Sequence, residues 1–285
     1  MVKEVVFYGD DVEVASVDED YEDDGELVHS NTVLACEADY IQYKGVFQGI
    51  DVAVQTAWDS SRILTLRAEA KVLTRIESDY IVKLLSLRHE STNCPEMVLE
   101  YMDIGHLRGY LDNKLNGKPN PIEFTKYELA FAVASAVNDL HDQGIIHRDI
   151  KTTNVLLSSD RKIKLGHLGY AKVVDGSKME LGVGTLCYMA PEVFINNNYS
   201  FPADIYSLGV VLSEIQALHK PYGTLNIQIW DLIAHIRDGK LRPKVSDNCE
   251  EWYRNLTDDC LNFDPKLRPT AKDVLQCIAQ HGNIP

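Results

Sequence analysis

The texture of the chain changes once, near Met102. Residues 28 to about 102 read mainly as short strands, and the residues after 103 read as helices. YIQYKGVFQGIDVAVQTA (40–57) alternates around a glycine-containing turn, the signature of a hairpin. IVKLLSL and EMVLEYM follow as two further strands. Between them and the hairpin, Ile63, Leu66, Ala70 and Leu73 recur at helical spacing and predict one amphipathic helix. Past the change, Thr125 with Glu128 forms a capping box ahead of a helix whose Ala130, Val133, Ala134, Val137 and Leu140 share a face. ADIYSLGVVLSEIQAL reads as a mostly buried helix, and Thr270 with Asp273 caps a last one. A strand-rich piece followed by a helix-rich piece implies an α+β chain of two lobes, 28–102 and 103–282.

A chain of 285 residues can bury a substantial core, and 45% apolar with 25% charged residues is an ordinary globular composition. No apolar run reaches the length of a membrane span, and VVFY followed by acids is not a signal peptide. The cysteines at 36, 94, 187, 249, 260 and 277 form no CxxC pair, which argues against a zinc site and against a disulfide framework. The expected setting is the cytoplasm, or the nucleus. The net charge of −15 is unevenly spread, since residues 1–26 hold eleven acids and one lysine. Residues 1–27 therefore read as an acidic tail, either a solvated, disordered leader or a segment that contacts a basic surface. No basic stripe supports nucleic-acid binding.

The string IIHRDIKTTNVLL (145–157) carries the chemistry. Asp149 can accept a proton from an attacking hydroxyl, Lys151 can offset charge on a transferring phosphoryl group, and Asn154 supplies a carbonyl oxygen for a hard metal ion. His, Arg, Asp, Lys and Asn at these offsets, followed by three apolar residues, form a density of agreement that chance does not produce.

This string resembles the catalytic loop of the eukaryotic protein kinases. GTLCYMAPE (184–192) is similar to the family's substrate-facing segment, and DIYSLGVVLSEI (204–215) to the buried helix whose aspartate, here Asp204, braces the loop. CLNFDPKLRPT (260–270) supplies the arginine that implies a structural Glu192–Arg268 ion pair. LEYMDIGHL (99–107) resembles the hinge, with Leu99 as gatekeeper and Met102 presenting backbone to an adenine. The resemblance covers about 28–282 and implies the two-lobed protein-kinase fold, with a small antiparallel-sheet N-lobe carrying one helix and a helical C-lobe. Lys151 points to the serine/threonine side, and HRDIKTTN with YSLGVVLSEI to its tyrosine-kinase-like branch.

Three departures fall together at the nucleotide. The family's Val-Ala-Ile-Lys is VAVQ here, so Gln55 replaces the lysine that pairs with the phosphates and with a helix glutamate, mapped to Glu69. Asp-Phe-Gly is His167-Leu168-Gly169, which removes the principal magnesium ligand and leaves Asn154 alone. The glycine-rich loop aligns with LACEADYIQ (34–42), where Ala35, Glu37 and Tyr40 replace glycines and Gln42 replaces the valine against adenine. Glycines there let backbone amides approach phosphates. Lys44 is the one alternative source of the missing cation, and it would still lack the aspartate.

The remaining framework is retained. Leu73, Leu84, His147 and Leu168 map onto the family's stacked spine, and Ala53 and Leu156 onto its adenine sandwich. Arg148 corresponds to the residue that grips a phosphorylated activation segment, with Ser177 as the expected acceptor and Thr185 as the threonine facing Asp149. The resemblance with these departures implies a pseudokinase, a binding or allosteric signalling module or scaffold docking on a protein partner such as an active kinase. On that reading no cofactor is required, ATP binds if at all without magnesium, and Mg²⁺ is not held. The alternative is a weak or unconventional serine/threonine kinase using Asp149, Lys151 and Asn154. Asn198 and Asn255 stand in N-x-S/T strings without meaning in such a setting.

Overall fold

The computed structural model describes residues 27–37, 39–174, 184–196, 199–246 and 248–282. The expectations for the acidic tail ahead of Leu27, for Ser177 and for Asn198 fall outside these residues. The described residues fall into two compact units, those up to Leu66 with Leu85–Tyr101, and Arg67–Leu84 with those from Met102 onward. Residues 67–84 thus group with the helix-rich piece, and the division passes through a helix.

The first unit is built on β1 (Leu27–Cys36), β2 (Tyr40–Phe47) and β3 (Ile50–Ala57), with the first turn of α1 (Ile63–Leu73), all but the first residue of β4 (Leu84–Arg88), and β5 (Glu96–Glu100). Its five strands run in the order β1-β2-β3-β5-β4, with β1–β2, β2–β3 and β3–β5 antiparallel. Gln48 and Gly49 join β2 to β3 with φ of 51° and 80°. Two left-handed residues make the tight turn that matches strand twist. Period-two alternation then sorts the side chains. Val52, Val54 and Val98 pack with Leu27 and Phe47 into the sheet's core. Ala53 and Gln55 alternate with them and point to the other side.

EMVLEYM ends as a strand at Glu100, and IVKLLSL becomes one only at Leu84. Ile81 instead forms a parallel bridge to Leu165, and the Val82 N–H donates to the Leu165 carbonyl at 3.0 Å. The four apolar residues read from α1's spacing, Ile63, Leu66, Ala70 and Leu73, are all buried.

The second unit contains β6 (Gly105–His106), α2 (Leu107–Leu115), α3 (Lys126–Asp142), β7 (Ile145–Ile146), β8 (Val155–Leu157), β9 (Ile163–Leu165) and β10 (Lys172–Val173). It continues with α4 (Pro191–Asn196), α5 (Phe201–Ala217), α6 (Ile229–Arg237), α7 (Glu251–Cys260) and α8 (Ala271–His281). Both capping boxes form, Thr125 with Glu128 on α3 and Thr270 with Asp273 on α8. Every residue of α5 from Ala203 to Ile215 is buried. It packs on α7 and α3, and at Gly209 the approach is so close that a Cβ would lie 2.8 Å from that of Cys260. Two small antiparallel ribbons, β6-β8-β9 and β7-β10, frame the polar loop 147–154. Among the described residues no helix is long and apolar enough to cross a membrane.

Candidate phosphoryl-transfer site

The loop after β7 must turn sharply, and Arg148 takes a left-handed φ of 68° to do so. Its backbone donors are buried and need an acceptor. Asp204, at the start of α5, supplies both oxygens: Oδ2 accepts from the His147 N–H at 2.8 Å and Oδ1 from the Arg148 N–H at 3.0 Å. His141 of α3 lies 2.9 Å from the same Oδ2. Burial alone would push the Asp204 carboxyl up, but His141 and the donated N–H bonds hold it below the usual range. The fully buried His147 ring is pushed below its ordinary range by desolvation. It accepts at Nδ1 from the Asp149 N–H and reaches the Gly166 carbonyl through Nε2, the pattern of one neutral tautomer.

Asp149 is only 3% exposed, yet its carboxylate is surrounded by donors. Thr185 Oγ1 donates to Oδ1 at 2.7 Å, Asn154 Nδ2 donates to Oδ2 at 3.1 Å, and Lys151 Nζ lies 3.0 Å from Oδ2. Lys151 also donates to Thr185 at 3.1 Å. Burial favours the neutral acid, but the Lys151 ammonium, the His167 imidazole and the Thr185 bond outweigh it and hold the group below its ordinary value. It is an ionised base in a closed polar triangle. Gly184, with φ of 106°, lets Thr185 come so near, because a Cβ there would lie 2.6 Å from the Arg148 carbonyl oxygen. Arg148 itself donates from Nε to the Tyr170 carbonyl and sets its guanidinium 5.6 Å from the Tyr199 ring centre.

His167 follows β9 in a left-handed conformation, φ 60° and ψ 63°, a region that His, Asp and Asn enter more readily than other side chains. Its ring meets Tyr170 edge-on at 5.4 Å. The next residue, Leu168, is fully buried, and its N–H donates to Glu69 Oε1 at 2.8 Å. Glu69, 2% exposed on α1, thereby accepts a backbone donor from the same stretch that carries His167. Leu73 and His147 are buried as well, and Leu84 is half-buried. Asn154 spends its amide nitrogen on the Asp149 carbonyl and carboxylate, which leaves its Oδ1 as the oxygen donor. One amide oxygen and one imidazole do not make the hard oxygen set that Mg²⁺ requires. Met102, 6% exposed, gives its carbonyl to the Gly105 N–H at 3.0 Å, and Leu156 of β8 is half-buried beside β6.

In the first unit, register places Gln42 opposite Gln55, Lys44 opposite Ala53, and Ala53 opposite the buried Leu99. Gln42 Nε2 donates to Gln55 Oε1 at 3.4 Å, so the two glutamines bond to each other across β2 and β3. Ala35, opposite Gln42, is the next-to-last residue of β1, and the Glu37 N–H donates to the Tyr40 carbonyl at 3.0 Å. That amide is committed to a hairpin turn. Lys44 is anchored on Asp51 at 2.8 Å and over the Tyr101 ring at 5.1 Å. The turn also holds Asp39, whose Oδ1 lies 2.8 Å from Arg62 ahead of α1, a pair that no sequence motif marks.

Glu192 and Arg268 form a bidentate pair at 2.7 and 2.8 Å. A second buried cluster is silent in the sequence. Glu214 of α5, 1% exposed, accepts from Tyr188 Oη at 2.6 Å, from Arg108 Nη1 at 2.7 Å and from Thr152 Oγ1 at 3.2 Å. Burial holds its carboxyl above the ordinary range in spite of these donors. It joins α2, the 147–154 loop and the 184–190 segment through one side chain. Only its place on a continuously apolar helix could have singled it out.

Residues 49–278 match the model of the protein kinase domain family, and the chain belongs to that family. Its similar proteins include two from Dictyostelium discoideum named "Probable LIM domain-containing serine/threonine-protein kinase". One is 33% identical over 89% of this chain, and the other is 33% identical over 86% of it. A third from the same organism, named "Probable serine/threonine-protein kinase", is 32% identical over 84%. The chain spans 39%, 26% and 15% of the length of these relatives. Its antiparallel-sheet unit and helical unit are those of the two-lobed kinase fold.

Proposed function

We propose that this kinase-family chain is a pseudokinase of the tyrosine-kinase-like branch, a binding or allosteric module that docks on a protein partner and transfers little or no phosphate. The observation that carries this reading is the chemistry at 55 and 167. Gln55 brings an amide, bonded to Gln42, where the family brings a cation. His167 brings imidazole where a hard metal ion needs carboxylate oxygen. A unit charge pair near 4 Å is worth about 4 kcal/mol at an effective dielectric near 20. Loss of the lysine alone therefore slows transfer by roughly a hundred- to a thousandfold, and loss of the aspartate by a comparable factor.

A second reading, a weak serine/threonine kinase, is favoured by the ordered Asp149–Lys151–Thr185 triangle with Asn154 bonded to it. Thermal denaturation with ATP, with and without Mg²⁺, separates the two. A ligand at a hundred times its dissociation constant adds about 2.7 kcal/mol, which raises the midpoint by about 5–11 °C at roughly 2–4 °C per kcal/mol. A module of the proposed kind shows no shift, or one indifferent to the metal. A shift that requires Mg²⁺ would overturn the proposal and restore the enzyme.

A further inference from the structure

Helix α6 exposes an unusual combination of side chains. Trp230 is 76% exposed, its neighbour Ile229 is 41% exposed, and Leu225, ahead of the helix, is 45% exposed. On α4, which packs against α6, Ile195 is 51% exposed. The buried side of α6 is carried by Leu232 and Ile236. Trp230, Ala234 and Arg237 follow at i, i+4 and i+7, so the tryptophan and the arginine share the opposite stripe, about 10 Å apart along the axis. The chain then continues through Lys240, Arg242 and Lys244, all exposed like Arg237. Asp238 is the one acid within 237–244, paired to Arg237 at 3.0 Å and Lys240 at 3.2 Å, which leaves a net charge of +3 there in a chain of −15.

An exposed tryptophan with further exposed apolar side chains, followed by a run of net positive charge, has the make-up of a recognition surface, with Asp231 beside the tryptophan and Asp238 as the acids on it. That run selects the partner. Four cations in eight residues, in a protein acidic elsewhere, repel basic segments and attract acidic ones. We infer that the exposed stripe of α6 and the 237–244 cations dock an acidic segment of a partner protein that carries an apolar anchor for Trp230. This is independent of whether phosphate is transferred.

The test uses the full chain and a fluorescein-labelled synthetic 15-mer with six glutamates around a Leu-x-x-Phe pair. Its control carries glutamine at the six positions. Anisotropy should show binding to wild type that weakens at least tenfold between about 50 and 300 mM salt, as screening of surface charge requires. Trp230→Ala should weaken it about tenfold, and a Lys240→Glu/Arg242→Glu/Lys244→Glu triple variant should abolish it. Both variants lie on the surface, and unchanged circular dichroism checks their folding. Equal binding of the glutamine control, or indifference to both variants, overturns the inference. So does a self-associated wild type that Trp230→Ala makes monomeric, because a second copy then occupies the face. Binding that emerges only after deletion of residues 1–26 overturns it too, since the chain's own acids would then be the occupant.

Discussion

Asp204→Asn is the substitution that most directly tests how the fold holds the site. Asparagine keeps the volume, so packing is unchanged, but it replaces one carboxylate oxygen by an amide that donates. In the structure both oxygens accept from buried backbone, His147 N–H at 2.8 Å and Arg148 N–H at 3.0 Å, and Oδ2 also meets His141. After the substitution one N–H faces another donor. An unsatisfied buried donor costs about 1–3 kcal/mol, and loss of a hydrogen bond to a charged group adds about 1.5–3. A net loss of about 3 kcal/mol lowers the midpoint of a domain this size by about 6–12 °C. Hydrogen exchange should show the amides of 147 and 148 losing protection while those of α8, far along the chain, change only with global stability. A variant melting within about 2 °C of wild type, with both amides still protected, would refute the view that this carboxylate fastens the loop.

Gly209→Ala should cost about 1–3 kcal/mol in urea unfolding, because its Cβ would fall 2.8 Å from Cys260 Cβ and 3.0 Å from Leu261 Cγ, both on a packed helix interface. The carboxyls of Asp149 and Asp204 are held below their ordinary values in the folded chain. Their contribution to stability is therefore fully present above the unfolded value of about 3.9 and lost as pH falls through the lower folded values. Urea midpoints followed from pH 6 down to about 2 should hold until about pH 4 and then fall, steeply for wild type and less steeply for Asp149→Asn. Gln55→Lys with His167→Asp should create a Mg²⁺-dependent thermal shift with ATP that the parent lacks, since aspartate also accepts the left-handed backbone at 167. No gain from the pair would place the block elsewhere, with the Glu37 turn the next position to change.

Much of this was readable from residue order because periodicity and capping are local. The face Ile63, Leu66, Ala70 and Leu73, the capping boxes at Thr125 and Thr270, and the Gln48-Gly49 turn each depend on residues within a few positions. What escaped depends on long-range pairing. IVKLLSL starts late because Ile81 finds Leu165 rather than a strand of the first sheet. Glu214 gains meaning only when Arg108, Thr152 and Tyr188 converge on it from three segments. Likewise Gln42 and Gln55, thirteen residues apart in the sequence, are one contact in the fold.

That contact bears on how an intact HRDIKTTN string should be weighed. Asp149, Asn154 and Asp204 are buried, and each holds the loop by bonds that folding itself requires. Removing any of them strands a buried partner, so each stabilises the fold whether or not phosphate moves. Position 55 is different. A buried lysine needs a counter-charge, whereas a buried glutamine is satisfied by a neutral neighbour, and Gln42 is that neighbour. At 167 the backbone sets the constraint, and histidine meets it as aspartate does. Gln55 and His167 are thus each accommodated where they stand, while Asp149, Asn154 and Asp204 are residues the fold would miss. An intact catalytic loop is therefore accounted for by the fold alone, and measurement at Gln55 and His167 is what separates the proposed pseudokinase from the weak kinase.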